Sequence, residues 1–177
     1  LLQDVNKGWL QKIREDAPDH VMGSTTKDGA TTAGAVKVGK GGDYANLDVV
    51  VMDAVNELID AVYQDDDDLV VVCGRELLSD KYFPLVNKEQ DNSEKIAADL
   101  IISQKRMGGL QAVRAPYFPA NALLITRLDN LSIYWQEDTR RRSVIDNPKR
   151  DRIENFESVN EAYVVEDYRC AALVENI

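Results

Sequence analysis

The chain has 177 residues, of which 31 are acidic and 21 are basic, giving a formal net charge of −10. A chain of this length buries roughly 70% of its unfolded surface, so one domain or two small lobes can fold without stapling disulfides. The acidic excess disfavours general binding to nucleic-acid phosphates. No apolar run approaches the ~18 residues of a membrane span, so no membrane partner is expected.

The first part of the chain is predicted to hold two amphipathic helices separated by a loop. Residues 1–16 place apolar side chains three or four apart, and Pro18 stops the pattern, as at the end of a helix. Residues 21–42 are rich in Thr, Gly, Ala and Lys without a sustained period, which predicts a loop or a loose hairpin. From Asp43 to Val62 one face is apolar, so a helix of about five turns with Asp43 as its N-cap is expected.

A buried strand is predicted to follow. The run Asp65-Asp66-Asp67-Asp68 ends the second helix, and LVVVC at 69–73 is typical of a strand covered on both faces. Two further helices are expected, at 75–83 before Pro84 and at 93–106 before Gly108-Gly109.

After Gly109 the apolar period changes towards two. Strands are predicted at 112–115, 122–126, 132–136, 142–145, 152–165 and 170–175. Helices followed by largely antiparallel strands define an α+β fold class. The two cysteines, Cys73 and Cys170, are far apart and lie in apolar contexts, so two buried thiols in a reducing cytoplasm are favoured over one long-range disulfide.

The stretch GAVKVGKGGD at 34–43 nearly has the spacing of a phosphate-binding P-loop. That motif needs Ser or Thr after its lysine to hold magnesium, but Gly41 follows Lys40 here. Residues 28–33 also lack the composition of an apolar strand. A glycine-rich turn leading into a capped helix is therefore favoured, and a phosphate- or nucleotide-binding enzyme using residues 34–42 is the alternative.

Two other polar features are candidate sites. Asp65–Asp68 lack the spaced ligands, central glycine and closing glutamate of a calcium loop, so a solvated loop is favoured. An acidic adaptor domain that binds a basic partner through Asp65–Asp68 is a second alternative. His20 is the only histidine and cannot supply a multi-histidine zinc site, so we expect a surface residue. No catalytic, cofactor-binding or metal-binding residue is predicted.

One basic cluster is present, and acidic residues flank it. A salt-bridged face at a subunit contact or a solvated strand edge is favoured over a phosphate-binding patch. The aromatic pairs Tyr82-Phe83 and Tyr134-Trp135 are expected in a core or an interface. The basic cluster comprises Arg140, Arg141, Arg142, Lys149, Arg150 and Arg152.

Long stretches of the sequence carry a more specific signal. The segments GKGGDYANLDVVVMDAVNELI, LVVVCGRELLSDKYFPLVNKEQDNSEKIAADLIISQKRMGGLQAVRAPYFPANALLITRLDNLSIYW and RIENFESVNEAYVVEDYRCAALVENI closely resemble the major capsid protein of Peduovirus-type tailed bacteriophages. The likeness covers nearly the whole chain from Leu1 to Ile177. Runs such as KYFPLVNKEQDNSE and YVVEDY are distinctive.

The resemblance implies the tailed-phage capsid fold, which herpesvirus shells share. An axial lobe at 43–138 and strands returning to a peripheral lobe at 139–177 are expected, with residual spine and loop at 1–42. The chain opens on leucine rather than methionine, and the resemblance places the family's N-terminal arm, extended loop and most of its spine helix before Leu1.

The same resemblance implies a structural virion protein that is not an enzyme and needs no cofactor. In the full-length protein we expect self-assembly into pentamers and hexamers of an icosahedral shell. Scaffolding protein, maturation protease and portal are the implied partners, and double-stranded DNA is enclosed without specific binding. The expected location is the virion capsid, with the host cytoplasm during assembly.

Overall fold

The computed structural model describes residues 7–27, 30–33, 36–86 and 105–177. Within those residues the helices are α1 (Trp9–Asp16), α2 (Leu47–Leu58) and α3 (Arg75–Val86). The strands are β1 (Val21–Met22), β2 (Ser24–Lys27), β3 (Ala30–Ala33), β4 (Leu69–Cys73), β5 (Arg106–Met107), β6 (Leu110–Arg114), β7 (Ala122–Arg127), β8 (Leu131–Trp135), β9 (Arg141–Asn147), β10 (Arg152–Ser158), β11 (Glu161–Val165) and β12 (Ala171–Glu175). Short 3₁₀ turns cover Pro18–His20, Leu128–Asn130 and Tyr168–Cys170.

A six-stranded sheet in the order β1-β12-β7-β4-β6-β5 forms the body of the molecule. Within the described ranges three two-stranded sheets accompany it, formed by β2 with β3, β8 with β11, and β9 with β10. Among the described strands, only the β1–β12 and β4–β6 pairs are parallel, so the expectation of largely antiparallel strands is confirmed.

The central strand β4 is buried on both faces, as its composition predicts. Val71 and Cys73 lie in an apolar cluster with α2, whereas Val70 and Val72 face the opposite cluster beside Ile13 of α1. Successive residues of β7 and β12 divide in the same way, because side chains of a strand alternate between the faces of its sheet. Both cysteines are buried and unpaired, which confirms the prediction of two buried thiols.

The second helix is shorter than predicted at both ends. It begins at Leu47, and its N-cap is Asn46, whose side chain accepts a hydrogen bond from the Val49 amide, so the assignment of Asp43 as the cap is wrong. It ends at Leu58 because Gln64 Nε2 donates to the carbonyls of Asn56 and Ile59. These bonds satisfy acceptors that the last helical turn leaves open. The predicted continuation to Val62 is therefore wrong, and Val62 is exposed.

Two further elements have boundaries that differ from the predictions. Helix α3 continues through Pro84 to Val86. A proline in the final turn costs one backbone hydrogen bond without ending the helix there. The predicted strand at 152–165 is two strands, β10 and β11, with a break at residues 159–160.

The helix predicted at 93–106 lies outside the described residues as far as residue 104, and Arg106 belongs to β5 rather than to a helix. Gly108 turns the chain between β5 and β6 with φ +58. A Cβ added to Gly108 would lie 2.6 Å from Val51 Cγ1 of α2, so this turn requires glycine. The Gly108-Gly109 pair is thus a hairpin turn packed against α2.

Strand pairing crosses residue 139, the expected boundary between the two lobes. Strand β12 pairs antiparallel with β7 over Ala171–Glu175, and β7 pairs with β4. Residues 171–175 therefore lie in the same sheet as β4, β5, β6 and β7, which come from the segment 43–138. None of the helices in the described ranges is long and apolar enough to cross a membrane.

Candidate functional site

The glycine-rich segment forms a turn that is closed by hydrogen bonds between its own backbone groups. The Gly39 amide donates to the Tyr44 carbonyl at 2.8 Å, and the Gly42 amide donates to the Gly39 carbonyl at 3.0 Å. The Lys37 amide donates to Asp43 Oδ2 at 3.2 Å. These donors are used within the turn, whereas a P-loop directs its amides at a shared phosphate.

The position of Lys40 also differs from that of a P-loop lysine. Lys40 is exposed, and the next helix, α2, begins only at Leu47. Strand β3 precedes the segment, but it pairs with β2 in a separate two-stranded sheet rather than in the central one. Residues 34–35 of the predicted motif lie outside the described residues.

The acidic run is a hydrogen-bonded loop joined to the sheet by an arginine. Arg127 Nη1 donates to Asp66 Oδ2 at 3.0 Å, and Asp66 Oδ1 accepts the Asp68 amide at 3.0 Å. Arg127 also binds Asp129, and that hydrogen bond raises the pKa of Arg127 above its ordinary value. Among the residues that the structure describes, no group of three or more His, Cys, Asp or Glu could hold a metal ion.

His20 is half-buried and not a free surface residue, so that expectation is corrected. Its Nδ1 is in hydrogen-bond contact with the carbonyl of Leu58, the last residue of α2. The imidazole therefore joins the 3₁₀ turn at Pro18–His20 to the end of α2. Its role here is structural.

A buried polar junction at Asn130 was not predicted. Asn130 Nδ2 donates to Thr126 Oγ1 at 3.1 Å and to the Asp167 carbonyl at 2.8 Å, while Oδ1 accepts the Asp167 amide at 2.7 Å. Asp167 in turn accepts hydrogen bonds from Tyr63 and Arg169. Its pKa falls to about 2, chiefly because of the Arg169 side-chain hydrogen bond. The junction fixes the corner where β11 leads into β12.

The basic cluster lies on a hairpin of two seven-residue strands, β9 and β10. We call residues 140–158 the basic hairpin. Arg142 approaches Glu157 at 3.7 Å, and Arg152 approaches Glu154 at 2.6 Å, so the salt-bridged interpretation is confirmed for those arginines. Arg141, Lys149 and Arg150 are exposed and make no ion pair with the described residues.

A second strand pair carries the basic hairpin. Strands β8 and β11, which we call the stem, pair from Leu131↔Val165 to Trp135↔Glu161. Trp9 of α1 packs edge-on against Tyr163 and donates from Nε1 to the Ser132 carbonyl at 3.2 Å. Farther along β8 the side chains of Ile133, Tyr134 and Trp135 are exposed. The side chains of Tyr82 and Phe83 lie outside the described ones.

A shallow cleft of about 230 Å³ lies beside the start of α3. Its lining includes Arg75, Glu76, Arg114, Tyr117 and Phe118. Neither Lys40, the acidic run, His20 nor the basic hairpin contributes to it.

The likeness to solved structures gives the class of protein. The chain is similar to a subunit in the structure titled "Satellite phage P4 procapsid including size determination (Sid) protein", with a TM-score of 0.86 and 59% identity. That match covers 99% of this chain and 52% of the matched chain. The fold is thus the tailed-phage capsid fold.

The family follows from sequence. The model of the family "Phage major capsid protein, P2 family" matches residues 1–177, and the chain belongs to that family. It is 63% identical to the "Capsid proteins" of Escherichia phage P2, covering 100% of this chain and 50% of that protein. It is 37% identical to the "Major capsid protein" of Serratia phage KSP20, covering 51% of that protein. The chain therefore spans about half the length of these relatives.

Membership of a capsid family assigns the chain to structural proteins rather than enzymes. It confirms the resemblance found in the sequence and decides against the two alternatives, an enzyme using residues 34–42 and an adaptor acting through Asp65–Asp68. The surfaces of interest for function are consequently those that can contact other molecules.

Proposed function

We propose that the chain is part of a major capsid subunit that assembles with its own copies into pentamers and hexamers of an icosahedral phage head. The observation that supports this most directly is the similarity to a procapsid subunit along 99% of the chain. A shell needs complementary surfaces that close by rotation and needs no reacting group. The exposed strand pairs described above can supply such surfaces.

We assign two lobes to this part of the subunit. The six-stranded sheet with α2 and α3 would form the axial lobe, which includes β12 although it comes last in the chain. The stem and the basic hairpin would belong to the peripheral lobe. This division follows strand pairing rather than the boundary at residue 139.

The proposed partners are those of head assembly. A scaffolding protein, a maturation protease and a portal would act on the full-length subunit in the host cytoplasm, and the finished location would be the virion. A size-determining protein is a further candidate, because the matched procapsid includes one. The net charge of −10 suits a shell that encloses double-stranded DNA without binding it tightly.

Electron microscopy tests the proposal. A chain of the relatives' length that carries these 177 residues would be expressed with its scaffolding protein and protease. Closed icosahedral shells are the expected result. The same chain with Val71→Asp, which breaks the core, is the control and should give no shells. Wild-type protein that stays dispersed in the presence of both helpers would overturn the proposal.

A further inference from the structure

The basic hairpin exposes large apolar side chains on both of its faces, which is unusual for an element that contacts only solvent. Its strands pair from Arg152↔Asn147 to Ser158↔Arg141, and directly paired residues lie on the same face. One face carries Ile145 and Phe156, and the other carries Val144 and Ile153. All four side chains are exposed, Ile153 by 74%.

Such a hairpin needs a covering partner on each face. An isolated two-stranded hairpin is at best marginally stable in water, because neither face buries enough apolar surface. Its two outer edges also present unpaired backbone groups. The two apolar faces and the open edges are therefore surfaces on which a second molecule can dock.

The distribution of charge along the chain indicates which molecule docks on the hairpin. The basic hairpin holds six of the 21 basic residues and four of the 31 acidic residues, so it carries +2 while the rest of the chain carries −12. A basic projection on an acidic body is complementary to the body of another copy. Arg141, Lys149 and Arg150 make no ion pair with the described residues, so they are available for such a contact.

We propose that the basic hairpin docks on the acidic body of a second copy of this chain and thereby joins neighbouring subunits. The contact would bury one face of the hairpin, either Val144 with Ile153 or Ile145 with Phe156. The basic side chains of the hairpin that make no ion pair would favour an acidic surface. This inference rests on the proposed function, since the second copy is met in a shell. The inference identifies the basic hairpin as the element that makes one of the contacts between subunits.

Charge reversal tests the electrostatic part. In a chain of the relatives' length that carries these 177 residues, the triple variant Arg141→Glu, Lys149→Glu, Arg150→Glu breaks no ion pair of the described residues and should fold normally. We expect at least about a tenfold loss of particles by electron microscopy, because like charges would then face each other. Lys37→Glu, Lys40→Glu, Arg75→Glu makes the same charge change at exposed sites elsewhere and should assemble like wild type.

Photo-crosslinking identifies the molecule that contacts the basic hairpin. A photoreactive amino acid replacing Ile153, and in a second variant Phe156, would be activated in assembled particles and in unassembled protein. Crosslinked dimers of the capsid chain in particles only are the expected result from at least one variant. Crosslinks confined to a single chain, to DNA or to another phage protein would overturn the inference.

The outcomes also separate this inference from the proposed function. If wild-type protein forms no shells, the proposed function fails. If wild type forms shells and the hairpin triple variant forms as many, only the docking inference fails.

Discussion

Individual residues of the central sheet control whether the chain folds. Val71 pairs with Ala112 and Ile125 in the middle of the sheet and has no exposed surface. A carboxylate there would have no partner, so Val71→Asp should cost several kcal/mol, on the order of 3–5, and abolish soluble folded protein. Expression yield and thermal unfolding measure the effect.

Val62→Asp is the matched control, since Val62 is 78% exposed. It should change the free energy of unfolding by no more than about 0.5 kcal/mol, as substitutions at exposed positions usually do. Soluble Val71→Asp protein with an unchanged melting temperature would contradict the assignment of β4 as a buried strand.

Asp167 gives the chain a measurable pH dependence. Its pKa is about 2 in the folded protein, against an ordinary value of 3.8, and hydrogen bonding to Arg169 is the main cause. A lowered folded pKa stabilises the protein above the ordinary value, and the stabilisation is lost as the pH falls from about 4 towards 2. Asp167→Asn should therefore lower the free energy of unfolding by on the order of 1 kcal/mol at pH 6 after solvent screening.

Urea titrations of wild type and Asp167→Asn at pH 6 and at pH 3 test this. The difference between the two proteins should shrink at the lower pH. A difference that stays constant would mean that the Asp167–Arg169 contact does not stabilise the fold.

The environment of a single residue could be predicted where it follows from apolar residues close by in the sequence. The LVVVC run alone places Val71 in a buried strand, because β-branched residues in a short continuous run favour that environment. Asn130 carries no such signal in LDN at 128–130. Only the fold brings Thr126 and Asp167 to its side chain, and such long-range partners are not encoded in neighbouring residues.

For helices and strands, it was easier to predict that an element exists than to predict where it begins and ends. The apolar face of α2 identifies a helix, but its ends depend on Asn46, on Gln64 and on His20 from an earlier turn. Capping by distant side chains overrides periodicity at helix ends. The segment 152–165 shows the same limit, since its sequence predicts a strand but does not reveal the break at residues 159–160.

The glycine turn at 36–44 leads to a prediction for nucleotides. Its Gly39 and Gly42 amides donate within the turn, and Gly41 has no hydroxyl to bind magnesium. ATP and GTP should therefore bind no better than non-specifically in isothermal titration calorimetry with magnesium. Lys40→Ala is the control and should give the same heats. A micromolar, magnesium-dependent site that disappears in Lys40→Ala would overturn this interpretation.

For the whole molecule, the family was recognisable from long collinear runs rather than from a short motif. Runs such as KYFPLVNKEQDNSE carry the likeness even where part of them lies outside the described residues. The membership of the central sheet was harder to predict, because β12 joins a sheet whose other strands lie up to 150 residues earlier, as its parallel pairing with β1 illustrates. Pairing between distant strands has no local sequence signature.

The association of the 177-residue chain on its own follows from its charge and its size. It spans about half the length of its relatives, so it carries only part of the contacts that would hold a ring of subunits. Ring contacts are individually weak and reinforce one another, so losing some of them lowers affinity steeply. The net charge of −10 adds repulsion between copies, which a single basic hairpin offsets only locally.

We therefore expect this chain to be monomeric or weakly associating at micromolar concentration, whereas a chain of the relatives' length with its helpers should form capsomers and shells. Sedimentation velocity over a range of salt and protein concentrations measures this. Weak association through the basic hairpin should diminish as salt rises, because screening weakens its attraction to an acidic body. Stable, salt-insensitive pentamers or hexamers would instead mean that the six-stranded lobe closes the ring by itself through apolar contacts.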